Sequence, residues 1–250
     1  MYVEFCLPAY NEEKILKDSV IKVLEFCRKQ NWPFDWKMYI LVNGSIDKTE
    51  EIAKELSRSN HEVSFRVLGQ SGKGYALSQH WKSSQADVLV CMDVDLAVSL
   101  EDLPKLINSI IENGNDLAIG SRLLPGSETD RSLVRELSSQ TYNLLSRLIL
   151  GHRFSDLQCG FKCITKKAFD QVSAYTQNNF WFFDTELIIF ANFFKMKIEE
   201  IPVEWQENRY EKRKTKVKLL KDSLDFIYRL FRLRLKLNRI KQINKHLDSA

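Results

Sequence analysis

Five apolar residues, Val88-Leu89-Val90-Cys91-Met92, run straight into two carboxylates at Asp93 and Asp95. A short run that is apolar at every position reads as a strand covered on both faces, as in a parallel sheet between helices. Parallel strands cannot be joined by hairpins, so such a sheet needs helical crossovers between its strands. Strand signals at 2–7, 37–42, Val63–Leu68 and 116–120 alternate with helical ones. A helix from an Asn11 N-cap to about Lys29 follows the first strand, and one reaching Arg58 follows the turn Asn43-Gly44-Ser45. A third follows Gly72-Lys73-Gly74, and a fourth covers 103–112. This βαβα order predicts an α/β fold with a mostly parallel central sheet and right-handed crossovers. Along an extended chain, residues i and i+2 share a face. Asp93 and Asp95 are therefore expected to project together from the carboxyl end of their strand, where open α/β sheets bind ligands. Two like charges so placed invite a hard divalent cation, because Mg²⁺ takes one or two carboxylates plus phosphate oxygens. A short D-x-D also suits a solvated turn or a helix cap, and only its neighbours can choose between these readings.

The 250 residues fit one large domain, or a domain with an appendage, and 44% hydrophobic composition is ample for a core. The five cysteines (Cys6, Cys27, Cys91, Cys159, Cys163) sit mostly in apolar runs and are odd in number, so no disulfide framework is expected and a reducing compartment is. Cys159 and Cys163 lack the second Cys or His pair of a zinc site, and the four scattered histidines read as packing or surface residues. No basic n-region with an apolar h-region precedes the first strand, which predicts no signal peptide. No stretch of about 18 uncharged apolar residues predicts a transmembrane helix. Between Arg209 and Lys245 there are 14 Lys/Arg and 3 Asp/Glu, so this segment carries +11 of a net +4 and the remainder carries −7. The expected division is a domain at 1–208 and a basic amphipathic helical tail at 209–250, whose charge suits an anionic surface.

The register changes after the fifth strand. A mobile loop is expected at 123–132, a helix at 132–150, a short strand within 156–164, a helix at 182–194, a strand at 198–203 and a long basic helix at 217–247. The glycine turn at Lys73 is too short for a P-loop, but it places a cation at a helix N-terminus, where backbone N–H groups favour anions. Arg122, Arg131 and Arg135 occupy loop positions from which a guanidinium can grip phosphate. Asp184 and Glu186 adjoin the aromatic stretch Phe180-Trp181-Phe182-Phe183. A desolvated carboxylate there could serve as a base or a sugar ligand, although Asp184 also suits a helix cap.

The motifs, taken in order, resemble the family-2 inverting glycosyltransferases of GT-A fold. They are Pro8-Ala-Tyr-Asn-Glu12, Asn43-Gly-Ser45 with Asp47 and Thr49, Gly72-Lys-Gly74-Tyr-Ala76, Asp93-Val-Asp95, Gly120-Ser-Arg122, Asp156-Leu-Gln-Cys-Gly-Phe-Lys162, Phe183-Asp-Thr-Glu186, and Glu200-Ile-Pro-Val203 with Trp205. The segments 156–162 and 181–187 are most similar to the polyprenyl-phosphate sugar synthases, the dolichyl-phosphate β-glucosyltransferases first and the mannose synthases second. The resemblance implies that Pro8, Ala9, Tyr10 and Glu12 line a nucleoside pocket. It places Lys73 and Asp93 near ribose and diphosphate, with Asp93 and Asp95 holding Mg²⁺ or Mn²⁺. Arg122 and Arg135 would approach an acceptor phosphate, with Ser139 nearby, while Gln158 and Asp184 face the sugar. Two departures stand out. Val42 and Asn43 occupy positions where the family often has two Asp, which leaves the nucleobase open. Ala97 stands where the mannose synthases can place a Gln.

The implied function is transfer of a hexose from a nucleotide-diphospho-sugar, UDP-glucose before GDP-mannose, to a polyprenyl or dolichyl phosphate. The implied location is cytoplasmic, peripheral at the membrane's cytoplasmic face. Leu219, Leu220, Leu224, Ile227, Phe231 and Leu235 form an apolar stripe beside basic residues, as in helices that lie in a membrane interface, although a basic helix packed on its own domain has the same pattern. Two other functions fit the same residues: transfer to a hydroxyl of a glycan or cell-envelope precursor, for which Asp184 would have to be a base, and a degenerate nucleotide-sugar-binding module. No nucleic-acid reading motif accompanies the basic tail. On the metal assignment, Asp95→Ala abolishes turnover of labelled donor, whereas Arg135→Ala chiefly raises the acceptor concentration required. Unchanged turnover in Asp95→Ala would remove the metal role.

Overall fold

The structure, a computed structural model, describes residues 1–130, 133–206 and 219–247. Its elements are β1 (Tyr2–Ala9), α1 (Leu16–Lys29), β2 (Asp35–Asn43), α2 (Thr49–Ser59), β3 (Val63–Leu68), α3 (Lys73–Ser83), β4 (Val88–Cys91), α4 (Leu103–Ile111) and β5 (Leu117–Ser121). There follow β6 (Glu128–Asp130), α5 (Leu133–Leu150), β7 (Lys162–Thr165), α6 (Lys166–Ser173), α7 (Phe183–Phe193), β8 (Ile198–Pro202), β9 (Glu204–Gln206) and α8 (Leu219–Leu247). The expected alternation is present, with boundaries shifted by one or a few residues. Helix α6 is an addition; its N-cap Thr165 accepts the Ala168 N–H.

Seven strands form one sheet in the order β3-β2-β1-β4-β7-β5-β8. Strands β1 to β4 are mutually parallel, and β5 is parallel to β8. Strand β7 runs antiparallel to both β4 and β5, so a single reversed strand divides the sheet. The chain moves outward from β1 to β2 and β3, then crosses back to β4 on the other side of β1. That reversal opens a crevice at the carboxyl ends of β1 and β4, the usual ligand position in such sheets.

Each face of the sheet is covered. Val3, Phe5 and Leu7 of β1 pack with Val20 and Leu24 of α1, Ala53 and Leu56 of α2, and Leu103 and Ile107 of α4. Cys6 of the same strand joins the opposite layer, with Leu77 and Trp81 of α3, Phe169 of α6, Phe183, Leu187 and Phe190 of α7, and Leu230 and Leu233 of α8. The period-2 alternation of β1 therefore feeds two cores. All five cysteines are buried and free. His80 is buried, with its Nε2 2.9 Å from Glu4 Oε2 and its ring tilted 45° against Tyr39.

Three expectations change. Asn11 does not cap α1. It stands at φ 50°, a left-handed position Asn tolerates, and its Oδ1 accepts the Ile46 N–H, while α1 starts at Leu16. Part of the expected loop at 123–132 is strand β6, paired in parallel with β9. The third change concerns α8. Leu230, Leu233 and Leu237 are buried in the second core, with Phe226 and Ile240 partly buried against it. The basic helix is thus packed on the domain through one face, and its other apolar stripe, with Phe231 and Leu235, remains exposed. Residues 207–218, which hold the start of the expected tail, lie outside the described residues.

Since Leu233 is 3% exposed, its truncation removes core contacts. Leu233→Ala should lower unfolding free energy by about 2–5 kcal/mol in urea titrations, the usual cost of a large-to-small core change. A change within experimental scatter would mean that α8 is not part of the core.

Candidate active site

The loops that follow β1, β2 and β3 are tied together by polar groups. Asn43, the last residue of β2, is buried; its Nδ2 donates to Ala9 O at 3.0 Å and its Oδ1 accepts the Gly72 N–H at 2.9 Å. Asn11 N–H donates to Ser45 Oγ at 3.0 Å, and Glu12 N–H donates to Thr49 Oγ1 at 2.8 Å. Asp47 accepts the Glu13 N–H, the Thr49 N–H and the Thr49 hydroxyl. Burial opposes its ionisation, yet these donors hold its pKa below the usual carboxylate value. Pro8 and Ala9 close β1, and Tyr10 and Glu12 follow in the next loop; Ala9 and Glu12 are buried and Tyr10 is exposed. Asn43 is thus spent on the scaffold, its amide holding the ends of β1 and the Gly72 turn together.

The Asp pair lies beyond the strand. Strand β4 ends at Cys91, and Asp93 and Asp95 belong to a turn in which the Leu96 N–H donates to Asp93 O at 3.0 Å. The turn sets Leu96 at φ 50°, a conformation a branched side chain rarely adopts, and Asp95 Oδ1 accepts the Ala97 N–H at 3.2 Å. The alternation of an extended strand therefore does not place these carboxylates; a strained turn does. Both remain partly exposed. Asp93 lies against the backbone of Gly160, where an added Cβ would overlap its carboxylate.

Behind Asp93 runs a chain of buried charges. Lys73 Nζ is 3.1 Å from Asp93 Oδ1 and 3.1 Å from Asp184 Oδ2. Lys162 Nζ donates to Asp184 Oδ1 at 2.8 Å and also to Cys159 O. The Lys73, Asp184 and Lys162 side chains are 5%, 2% and 1% exposed, whereas Asp93 is 38% exposed, so the chain surfaces only at Asp93. Burial disfavours the Lys73 charge, but Asp184 and then Asp93 raise its pKa well above the usual lysine value. Asp184 does not cap α7, whose N-cap is Phe182. Both of its oxygens face an ammonium group, Oδ2 that of Lys73 and Oδ1 that of Lys162.

On the far side, Arg122 follows β5. Its Nε and Nη2 donate to Asp156 Oδ2 and Oδ1 at 2.6 and 3.0 Å, and its guanidinium lies 5.9 Å from the Trp205 ring centre. Burial would push Asp156 up, but the Arg122 charge and hydrogen bonds, with the Gln158 and Arg122 N–H groups, hold it at about 2. The stability this adds is complete above the ordinary aspartate pKa and is lost as pH falls toward 2. Gln158 Nε2 donates to Thr185 Oγ1 at 2.6 Å, and Thr185 Oγ1 meets Tyr142 OH at 2.7 Å. The segment 155–162 thus ties β5, α5 and α7 around the crevice. Arg122, Gln158, Asp184, Lys73 and the Asp pair converge there. Arg135 begins α5, but its side chain lies outside the described residues, as does Arg131.

Asp156 and Lys162 gained no role from sequence, although both stand in a recognised motif. The available signal was a lysine opening the apolar strand Cys163-Ile164, a position that needs a buried counter-charge.

The site's donor set suits a hard divalent ion. Two partly exposed carboxylates make an open site, which leaves positions for phosphate oxygens and water. Among the described residues, the one group of three His, Cys, Asp or Glu with converging ligand atoms is Glu4, Cys6 and His80, a hydrogen-bonded cluster in the core.

Comparison with known proteins gives concordant results. The family profile described as "Glycosyl transferase family 2" matches residues 4–173. Glycosyltransferase AglD of Haloferax volcanii is 32% identical over 223 residues, which are 89% of this chain and 35% of that protein. Dolichyl-phosphate beta-glucosyltransferase ALG5D of Trichomonas vaginalis is 29% identical over 238 residues, 91% of this chain and 72% of that protein. The chain therefore spans about a third of the first relative and less than three quarters of the second. Glucosyl-3-phosphoglycerate synthase of Mycobacterium tuberculosis, solved with Mn²⁺, UDP and glucosyl-3-phosphoglycerate, superposes with a TM-score of 0.63 at 19% identity, covering 93% of this chain and 78% of that one. At that identity the likeness establishes a shared fold.

Asp184→Ala would strand two buried lysines. It should cost about 3–5 kcal/mol of unfolding free energy, the usual penalty for breaking a buried ion pair from one side, as measured by denaturant titration. A loss below about 1 kcal/mol, typical of exposed pairs, would show that the lysines are solvated.

Proposed function

The chain belongs to glycosyl transferase family 2, and on that footing we propose that it transfers glucose from UDP-glucose to a polyprenyl phosphate of dolichyl type, with inversion at the anomeric carbon. The observation that carries this reading is the buried ladder ending at Asp93, set beside Asp95 at the carboxyl edge of β1 and β4. The Trichomonas relative's name supports the acceptor, and the Mycobacterium complex supports UDP and a divalent ion in this fold.

Pro8, Ala9, Tyr10 and Glu12 bind the nucleoside in this reading, on loops that Asn43 and Asp47 hold fixed. Asp93 and Asp95 hold Mg²⁺ or Mn²⁺, which when bound offsets the charge that develops on the departing diphosphate. Lys73, 3.1 Å from its Oδ1, orients Asp93. Arg122, itself fixed by Asp156, and Arg135 orient the acceptor phosphate, and Gln158 faces the sugar. A phosphate monoester has its second pKa near about 6, so the nucleophile is already ionised at neutral pH and needs no strong base. The double clamp on Asp184 favours this acceptor over a hydroxyl, which would need that carboxylate free to take a proton.

A lipid acceptor requires access to a membrane. No described helix is long and apolar enough to cross one. Helices α5 and α8 pack side by side, with Tyr142 against Phe226 and Arg234 donating to Leu150 O. Leu137, Leu144 and Leu148 of α5 and Tyr228, Phe231 and Leu235 of α8 are exposed. With Arg232 and Arg239 also exposed on α8, this surface suits the interface of an anionic, cytoplasmic leaflet.

Purified full chain should consume UDP-glucose in the presence of Mg²⁺ or Mn²⁺ and a short polyprenyl phosphate, and consume GDP-mannose more slowly. Turnover with free sugars but not with the lipid phosphate would replace the acceptor. Phe231→Glu with Leu235→Glu should reduce co-sedimentation with phosphatidylserine vesicles and leave the melting temperature nearly unchanged. Undiminished sedimentation would remove the membrane contact.

A further inference from the structure

Glu186 sits two residues after Asp184 in the first turn of α7 and points away from the ladder. Its Oε2 accepts the backbone N–H groups of Gln177 and Asn178, both at 2.7 Å. Burial raises its pKa, and those two donors oppose the rise. The loop it holds continues through Asn178 Oδ1, which accepts the Phe180 N–H at 2.8 Å. This loop lies directly on the glycine turn that carries Lys73. Asn179 O accepts the Tyr75 N–H at 2.9 Å. A Cβ on Gly72 would overlap Asn179 O, and one on Gly74 would overlap Asn178 O. The Trp181 ring lies 5.9 Å from Lys73 Nζ. Helix α8 reaches the same loop, because Lys236 Nζ donates to Tyr175 O at 2.8 Å and to Gln177 Oε1 at 3.2 Å.

We infer that Glu186 is a positioning residue for donor binding, holding the 177–180 loop as a backstop that fixes Lys73 between Asp93 and Asp184. One turn of α7 then supplies both the counter-charge for Lys73 and the anchor for the loop that seats it. The two carboxylates have different duties: Asp184 needs its charge, while Glu186 needs an acceptor oxygen. The inference deepens the reading of a metal-dependent UDP-sugar site and rests on it.

The test measures Mn²⁺-dependent UDP binding by calorimetry, and KM and kcat for UDP-glucose, in wild type, Glu186→Ala and Glu186→Gln, with folding checked by thermal unfolding. Glu186→Ala should weaken UDP binding and raise KM by roughly 10–100-fold, the range found for residues that support a metal site from behind, with kcat at saturation within a few-fold. Glu186→Gln keeps an acceptor oxygen and should restore both. The inference fails if folded Glu186→Ala binds UDP like wild type, or if Glu186→Gln is as impaired as Glu186→Ala. If Glu186→Ala does not fold, Glu186→Asp, one methylene short of the loop, takes its place under the same criterion. If the wild type binds UDP but transfers nothing to a polyprenyl phosphate, the acceptor reading falls and binding still judges Glu186. If the wild type binds no UDP, the donor reading falls. Hydrogen exchange at the Tyr75 amide then decides, since Glu186→Ala should speed it and Glu186→Gln should not; equal rates would overturn the backstop.

Discussion

The alternating ladder Asp93–Lys73–Asp184–Lys162 is the interaction on which the rest of the site depends. Each inner charge is almost fully removed from water, and an isolated buried charge costs several kcal/mol even after relaxation. The ladder is tolerable because each inner group faces an opposite charge, and Lys162 donates additionally to a carbonyl. It reaches solvent at Asp93 alone, so its electrostatic balance can be altered from outside only there. In the proposed reaction a cation bound at that carboxylate would meet a preset field, with little reorganisation left for the moment of transfer.

The ladder draws its members from four separate places: the start of α3, the turn after β4, the start of β7 and the first turn of α7. Strand β7 has a particular part in this. By running antiparallel between β4 and β5 it brings Lys162 into register with Cys91, directly beneath the Asp turn. The preceding segment, 155–161, passes over the crevice, where Gly160 meets Asp93 and Asp156 meets Arg122. One reversed strand thereby joins the half of the sheet proposed to bind the donor to the half proposed to hold the acceptor.

Helices α5 and α8 use opposite faces for different purposes. The inner face of α5 presents Tyr142 and Asn143 to the segment over the crevice, and its outer face exposes leucines. The buried leucines of α8 complete the second core, and Lys236 reaches the loop that Glu186 anchors. The same helices that close the crevice on their inner faces therefore carry the exposed apolar residues on their outer faces.

Much of this was legible in the sequence. Strand and helix identity follows from apolar spacing over a few residues, so the βαβα order and the extent of α7 and α8 could be read from local pattern, whereas the turn that carries the Asp pair could not. The motifs also marked Lys73, Arg122, Gln158 and Asp184 as neighbours of one crevice. What the sequence could not decide was which charge meets which. Asp184 looks equally like a base, a cap or a counter-ion until Lys73 and Lys162 are placed on either side of it. Asn43 looks like a lost acid until its amide is found bonding Ala9 and Gly72. The amphipathic pattern of α8 fits a membrane or a core until α5 and α7 define which stripe is covered. Local periodicity fixes the elements because it acts over one or two turns. Pairing of buried charges is fixed by packing between segments remote in the chain, and only the tertiary structure brings those segments together.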